Sequence, residues 1–328
     1  MRKKRGKHKW RKKIIPAIVF FFTILALFLL SPLIFSLTLN YFFLFFLRLW
    51  NLGNTDQHPV HVTGKNLSSQ VNCLALIGSG NLLVGSNDDT FSIIDSGNSE
   101  VLKTVKLDGA PKNIGIISGS NSVVACLSNS TVVSVSNSGK VIDFEIKGSP
   151  TFIAAHPSLD EIAVGFEDST VKIFSVSGLE PSLEITDISD LEKVKISGTN
   201  VKLLEKCTIS IHNRAITCLS YSPSGKLLAS GDQSGKIYIS DSSTGETIIK
   251  NFVSHTAMIK SLSWFPNSTQ LVSGSLDSNI IVWDISKPLD SIVLKLAHLG
   301  GVSSVAVISD TEFFSCGLDS VIKKFQLD

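Results

Sequence analysis

Catalytic signatures are the first thing missing from this 328-residue sequence. It contains no GxSxG, no phosphate-cradling GxxxxGK(S/T), no GxGxxG and no HExxH, so the commonest local arrangements for nucleophilic, nucleotide and zinc-hydrolase chemistry are absent. Cysteine is sparse: Cys73, Cys126, Cys207, Cys218 and Cys316 are scattered without a CxxC pair. An odd count over such a length excludes a disulfide framework and leaves reduced, packed thiols. Charge is low, at 18% of residues, and unevenly placed. Residues 1–13 hold nine Lys or Arg and no acid, and the remainder holds 21 basic against 28 acidic side chains. A mildly acidic body lacks the electrostatic footprint of a nucleic-acid binder, so nucleic acid is not an expected partner. Helical periodicity is also missing after residue 50.

What is present divides the chain. After the basic head, residues 14–50 form a 37-residue apolar run whose one charge is Arg48. A single span needs about 20 apolar residues. The run therefore reads as an apolar, helical transmembrane segment, either one long span or a hairpin turning near Ser31-Pro32 or Asn40. The head stays cytoplasmic under the positive-inside rule. The run is too long for the apolar region of a cleavable signal peptide, and a mistranslated leader is a further reading. Sequons at Asn66, Asn129 and Asn267 would matter only if the body were lumenal. Residues 51–58 read as a linker and 59–328 as the folded body.

Six segments of that body end in a tight turn followed by a short alternating strand: 85–95, 126–136, 165–175, 231–241, 274–284 and 316–326. Their fourth positions are Asp88, Asn129, Asp168, Ser234, Asp277 and Asp319, spaced by 41, 39, 66, 43 and 42 residues. A period of about 40–45 residues with apolar/polar alternation is that of a four-stranded propeller blade. The expected fold is thus an all-β propeller with six clear blades, or seven if the 66-residue interval hides a degenerate one. That interval contains residues 177–207, which could instead be a long outer loop or an elaborated fourth strand. The last three-strand set ends at Asp328 without its outer strand, and residues 59–66 are expected to supply it, because an open sheet edge is a liability.

The most complete repeat, His255, Ser273, Asp277 and Trp283-Asp284, resembles WD-repeat proteins, in which the equivalent loop His, strand Ser, turn Asp and strand Trp form a hydrogen-bonded set. His298, Ser315 and Asp319 repeat the set, His212 and Ser230 part of it, and Asp168 and Asp88 are turn acids of earlier repeats. A carboxylate in a tight turn can accept turn amides and an imidazole N–H, which gives the set a structural role. His212, His255 and His298 recur at intervals of 43 residues. Each His and Asp belongs to its own blade, so no convergent metal or acid/base site is expected. His58 and His61 lack a third ligand.

The stretch 155–176, then VKLLEK, then 216–232 and 297–328 resembles, in order and spacing, the second propeller of the actin-interacting protein 1 family. The resemblance covers roughly residues 148–328 well and 71–147 loosely. It implies a non-enzymatic interaction platform that binds actin filaments with cofilin and promotes their disassembly, without catalytic, cofactor or metal residues. This chain departs from the family in having no first propeller and an apolar leader in its place. The alternative is a membrane-anchored WD-repeat scaffold for an unrelated protein.

Overall fold

The computed structural model describes residues 70–77, 81–95, 101–118, 122–135, 141–178, 201–252 and 255–327, with two-residue strands at 13–14, 48–49 and 60–61. Every described regular element is a strand. Six four-stranded antiparallel sheets account for nearly all of them, five running in chain order from first strand to outer edge and the sixth taking its outer strand from Lys13–Ile14. Blade 1 comprises Val71–Ile77, Asn81–Ser86, Thr90–Ile94 and Val101–Lys106. Blade 2 comprises Pro111–Ile117, Ser122–Leu127, Val132–Val135 and Val141–Phe144. Blade 3 comprises Pro150–Ala155, Glu161–Phe166, Val171–Ser177 and Lys202–Ile209. Blade 4 comprises Ile216–Tyr221, Leu227–Asp232, Ile237–Asp241 and Thr247–Phe252. Blade 5 comprises Ile259–Trp264, Gln270–Ser275, Ile280–Asp284 and Ile292–Leu294. Blade 6 comprises Val302–Val307, Glu312–Gly317 and Ile322–Gln326.

The chain divides into two compact units, residues 18–208 with blades 1 to 3, and residues 209–328 together with 1–17, which hold blades 4 to 6. Within each unit the same rules operate. Second strands such as Glu161–Phe166 and Ser122–Leu127 are buried along their whole length; in the latter, alternate side chains enter the cores shared with blade 1 and with blade 3. Outer strands such as Lys202–Ile209 alternate and stay largely exposed. Each first strand carries one register shift at its start, between Val71 and Cys73 in blade 1 and between Ile259 and Ser261 in blade 5, which increases the local twist of the inner edge. Adjacent blades are stitched by side chains at the repeat interval. The Thr217 hydroxyl donates to the Ile259 carbonyl at 2.6 Å, Trp264 Nε1–H donates to the Ser220 carbonyl at 2.9 Å, and Val307 N–H donates to Ser263 Oγ at 3.1 Å. Between blades 5 and 6 the core is aromatic, with Phe313 stacked on Phe325 at 5.1 Å and Phe265 edge-on to Phe313.

Six blades are as expected, the seven-blade alternative falls, one expectation is overturned and one lies outside the described residues. The 66-residue interval does not yield a described seventh blade: Lys202–Ile209 is the fourth strand of blade 3, so the interval is an insertion before an outer strand. Val60–His61, the described part of residues 59–66, does not complete the last blade. Val60–His61 pairs instead with Arg48–Leu49, and the outer partner of Ile322–Gln326 is Lys13–Ile14, in register Lys13↔Lys324 and Ile14↔Lys323. The edge was expected to be covered, and an extended segment from earlier in the chain covers it at Lys323 and Lys324. The anticipated transmembrane segment, residues 14–50, lies outside the described residues apart from Ile14 and Arg48–Leu49. Among the described residues no helix is long and apolar enough to cross a membrane.

Candidate functional site

The expected residue sets lie where the loop entering a blade meets the turn between its second and third strands. In blade 5 the chain of bonds is complete. Trp283 Nε1–H donates to Ser273 Oγ at 2.8 Å, Ser273 Oγ lies 2.8 Å from His255 Nε2, and His255 Nδ1 lies 2.8 Å from Asp277 Oδ2. Because a carboxylate only accepts and the indole only donates, the directions are fixed: the serine hydroxyl donates to Nε2, and Nδ1–H donates to Asp277. Asp277 Oδ2 also accepts Thr256 N–H at 3.0 Å and Oδ1 accepts Asn279 N–H at 2.9 Å. One carboxylate thus ties the entering loop to the turn. Burial pushes its carboxyl up, but the Thr256, Asn279 and His255 hydrogen bonds outweigh burial and hold it below the ordinary range. Burial pushes His255 down against the opposing pull of Asp277, which keeps the imidazole neutral.

Blade 6 repeats the arrangement with His298 Nε2 at 2.7 Å from Ser315 Oγ and Nδ1 at 2.7 Å from Asp319 Oδ1, while Asp319 Oδ2 accepts Leu299 N–H. Phe325 stands where blade 5 has Trp283, so the indole link is missing. In blade 4, His212 Nε2 lies 2.7 Å from Ser230 Oγ, but its Nδ1 partner is Asp232 at 2.9 Å. The alignment put Ser234 in the acid's place. Asp232 reaches both roles from two positions earlier, its Oδ1 accepting Ser234 N–H, Ser234 Oγ–H and Lys236 N–H. The Gly-Asp of SGD, against the Gly-Ser of SGS in blade 5, was the available signal. Ser240 replaces the indole-bearing position, and Tyr238 packs edge-on to His212 with ring centroids 4.6 Å apart.

Asp168 and Asp88 are not brought into such sets. Asp168 Oδ1 accepts Thr170 N–H at 3.0 Å and the Thr170 hydroxyl at 2.6 Å, and that hydroxyl is the main cause of its lowered carboxyl pKa. Asp88 accepts the Thr90 hydroxyl at 2.6 Å. Both cap turns whose next residue is left-handed, with φ 63° at Asp89 and 75° at Ser169. Blade 3's buried His156 has a different job, its Nδ1 accepting Ser158 and Leu159 N–H.

No group of three His, Cys, Asp or Glu that could hold a metal ion exists among the described residues. The thiols are reduced, and burial pushes Cys73 and Cys218 up to about 12 and Cys126 up to about 11, far from a reactive thiolate. What the His–Ser–Asp sets can do chemically is hold loops in place. Every nitrogen and carboxylate oxygen of the blade 5 set is used on another part of the fold, so the set presents fixed loop backbone at one end of the blade.

A model of the WD domain, G-beta repeat, matches residues 205–241 and 246–284, each running from the outer strand of one blade, 3 or 4, through the first three strands of the next. The chain is 30% identical over 280 residues to the 66 kDa stress protein of Physarum polycephalum, covering 85% of this chain and 42% of that protein. It is 28% identical over 277 residues to actin-interacting protein 1 of Caenorhabditis elegans, with 82% and 40% covered. The Drosophila melanogaster actin-interacting protein 1 is 26% identical over 284 residues, with 85% and 42% covered. The chain therefore spans about two fifths of the length of the curated relatives it matches. Among solved structures, one chain in a crystal structure of the mitotic checkpoint complex aligns with TM-score 0.65 at 18% identity, covering 85% of this chain and 80% of that one. That likeness concerns the fold, an all-β six-bladed propeller. With the repeated blades, the turn acids and the relatives in agreement, this chain is a WD-repeat protein resembling the actin-interacting protein 1 family.

Proposed function

We propose that this chain is a non-enzymatic protein-interaction platform that binds actin filaments together with cofilin and promotes their disassembly. The observation that carries this reading is the similarity to proteins named actin-interacting protein 1 across more than four fifths of the chain. The chemistry of the blades agrees with it. The histidine and aspartate pairs of blades 4, 5 and 6 each serve a separate loop, and the thiols of Cys73, Cys126 and Cys218 are held protonated. The expected location is then the cytoplasm at the actin cytoskeleton.

The test is co-sedimentation of the full chain with actin filaments, with and without cofilin. Pelleting that increases with cofilin, accompanied by a rise in unsedimented actin, is the expected result. Absence of cofilin-dependent pelleting overturns it. A second reading, a membrane-anchored scaffold for another protein with its amino terminus cytoplasmic, is favoured by the 37-residue apolar run behind nine basic residues. Protease protection of the chain in microsomes separates an anchored from an unanchored chain and reports which side the blades occupy.

A further inference from the structure

In the unit formed by blades 4 to 6, the two ends of the blades carry opposite charge. At the histidine end, the described loops and turns present Arg214, Lys236 and Lys295, with Lys260 exposed at the second position of blade 5's first strand, and their only carboxylates are Asp232, Asp277 and Asp319. Those three are buried or nearly so, with side chains 0%, 4% and 13% exposed. The other end carries Asp241, Glu246, Asp284, Asp290 and Asp310 against Lys226 and Lys287. A field of this kind selects the sign of what approaches each end.

The basic end is also where leucines stand out of the fold. Leu296, Leu299, Leu318 and Leu276 are 67%, 71%, 65% and 37% exposed. They lie on three segments knitted into one relief between blades 5 and 6. Leu318 N–H donates to the Gly301 carbonyl and His298 N–H to the Ser278 carbonyl. Leu296 N–H donates to Asn279 Oδ1 at 3.1 Å, and Leu299 N–H to Asp319 Oδ2 at 3.2 Å. Gly301, at φ +124°, passes so close to Leu276 that a Cβ there would lie 3.0 Å from its Cδ2. The His298–Ser315–Asp319 set therefore fixes the backbone that displays Leu299 and Leu318. Single exposed leucines are ordinary, but several on a braced loop set with a basic surround mark an interaction surface.

We infer that the histidine end of blades 5 and 6 is a docking surface for an acidic amphipathic protein segment, whose apolar side chains would cover Leu296, Leu299 and Leu318 while its carboxylates face Lys295 and Lys260. Charge complementarity selects this occupant. Backbone pinned by hydrogen bonds favours a shaped protein partner over a lipid surface, which needs no fixed relief. The inference rests on the reading of the chain as an interaction platform, but not on actin being the partner.

The probe is a fluorescent 18-residue peptide with Leu at helical i, i+3, i+4, i+7 spacing and Glu elsewhere, its binding to the full chain followed by anisotropy. A scrambled peptide of equal composition serves as control. Saturable binding that weakens at least about tenfold in a Leu296→Ser/Leu299→Ser/Leu318→Ser chain, several-fold in Lys295→Glu, and with rising salt is expected. Leu289→Ser, 87% exposed at the opposite end, should leave it unchanged. Thermal melts establish that each variant remains folded. No binding, equal binding of the scrambled peptide, or insensitivity to the triple substitution in a folded chain overturns the inference. So does flotation with phosphatidylserine vesicles that the triple substitution abolishes while peptide binding persists. If actin pelleting fails but peptide docking holds, only the actin assignment falls; if pelleting occurs and the peptide does not bind, or binds the folded triple variant equally well, only the docking surface falls.

Discussion

Replacing Asp277 by Asn exchanges one oxygen for an amide nitrogen at a carboxylate that faces donors on both sides. Oδ2 accepts from the His255 imidazole at 2.8 Å and from Thr256 N–H at 3.0 Å, and Oδ1 accepts from Asn279 N–H at 2.9 Å. If the amide oxygen takes the Oδ2 place, the new NH2 points at Asn279 N–H and one turn donor loses its partner. If it takes the Oδ1 place, two donors are confronted. The better rotamer still forfeits one hydrogen bond and the charge assistance on two others, about 2–3 kcal/mol in all. Asp168→Asn supplies the comparison at the same turn position of blade 3. There both contacts fall on Oδ1 alone, from the Thr170 amide and hydroxyl. An asparagine can keep its oxygen on those donors and turn its NH2 to water, so its cost should stay within about 0.5 kcal/mol. Equilibrium urea unfolding followed by tryptophan fluorescence suits the comparison, since Trp283 is buried and bonded to the same set. Equal losses in the two variants would refute the claim that the histidine-linked acid braces two segments while the other caps one.

Two further perturbations probe the same loops. A Cβ at Gly317 would stand 2.4 to 2.6 Å from Cγ, Cβ and Nδ1 of the fully buried His298, so Gly317→Ala should destabilise by about 1–3 kcal/mol. Because two of those three atoms, Cγ and Nδ1, belong to the ring, the double variant Gly317→Ala/His298→Ala should cost less than the sum of the singles in thermal melts, and strict additivity would show that the ring is not what the methyl displaces. Acid should act in two stages. His255 has a folded pKa below its unfolded value of about 6.5, so its contribution is complete above that pH and is lost as pH falls towards the folded value. Asp232, Asp277 and Asp319 are likewise lowered, so their contribution is complete above about pH 3.9 and fails below it. Stability from urea midpoints should therefore be level above pH 7, decline from about 6.5 and drop further below 4; a level profile down to pH 5 would contradict the neutral, buried His255.

The repeat was legible because each blade must end its second strand in a turn, and the turn chemistry is local: an acid or amide accepting the N–H two residues on, followed by a left-handed residue such as Ser169, Ser278 or Ser320. The start of blade 5 at Ile259 and of blade 6 at Val302 follows from alternation alone. What local chemistry could not show was which acid reaches a histidine about twenty residues earlier. Asp168 and Asp277 occupy the same turn position, yet only Asp277 is bonded to an imidazole, because the loop entering blade 5 carries His255 where the loop entering blade 3 has Ile146. Asp232 shows the converse, a carboxylate displaced by two positions that still captures both the turn amides and His212, since a short side chain in a tight turn can reach either from two neighbouring sites. The outer strand of blade 6 was invisible for a different reason: a two-residue pairing such as Ile14↔Lys323 leaves no periodicity to read, and edge hydrogen bonding accepts backbone from any extended segment regardless of its side chains. The exposed leucines left no signal in the repeat: Leu296 and Leu299 bracket the buried Ala297 and His298, and the left-handed turn at Leu296 and the two glycines that follow turn them outward. Periodicity records what the fold needs to bury; what it displays to a partner is set by where the loops stop obeying that periodicity.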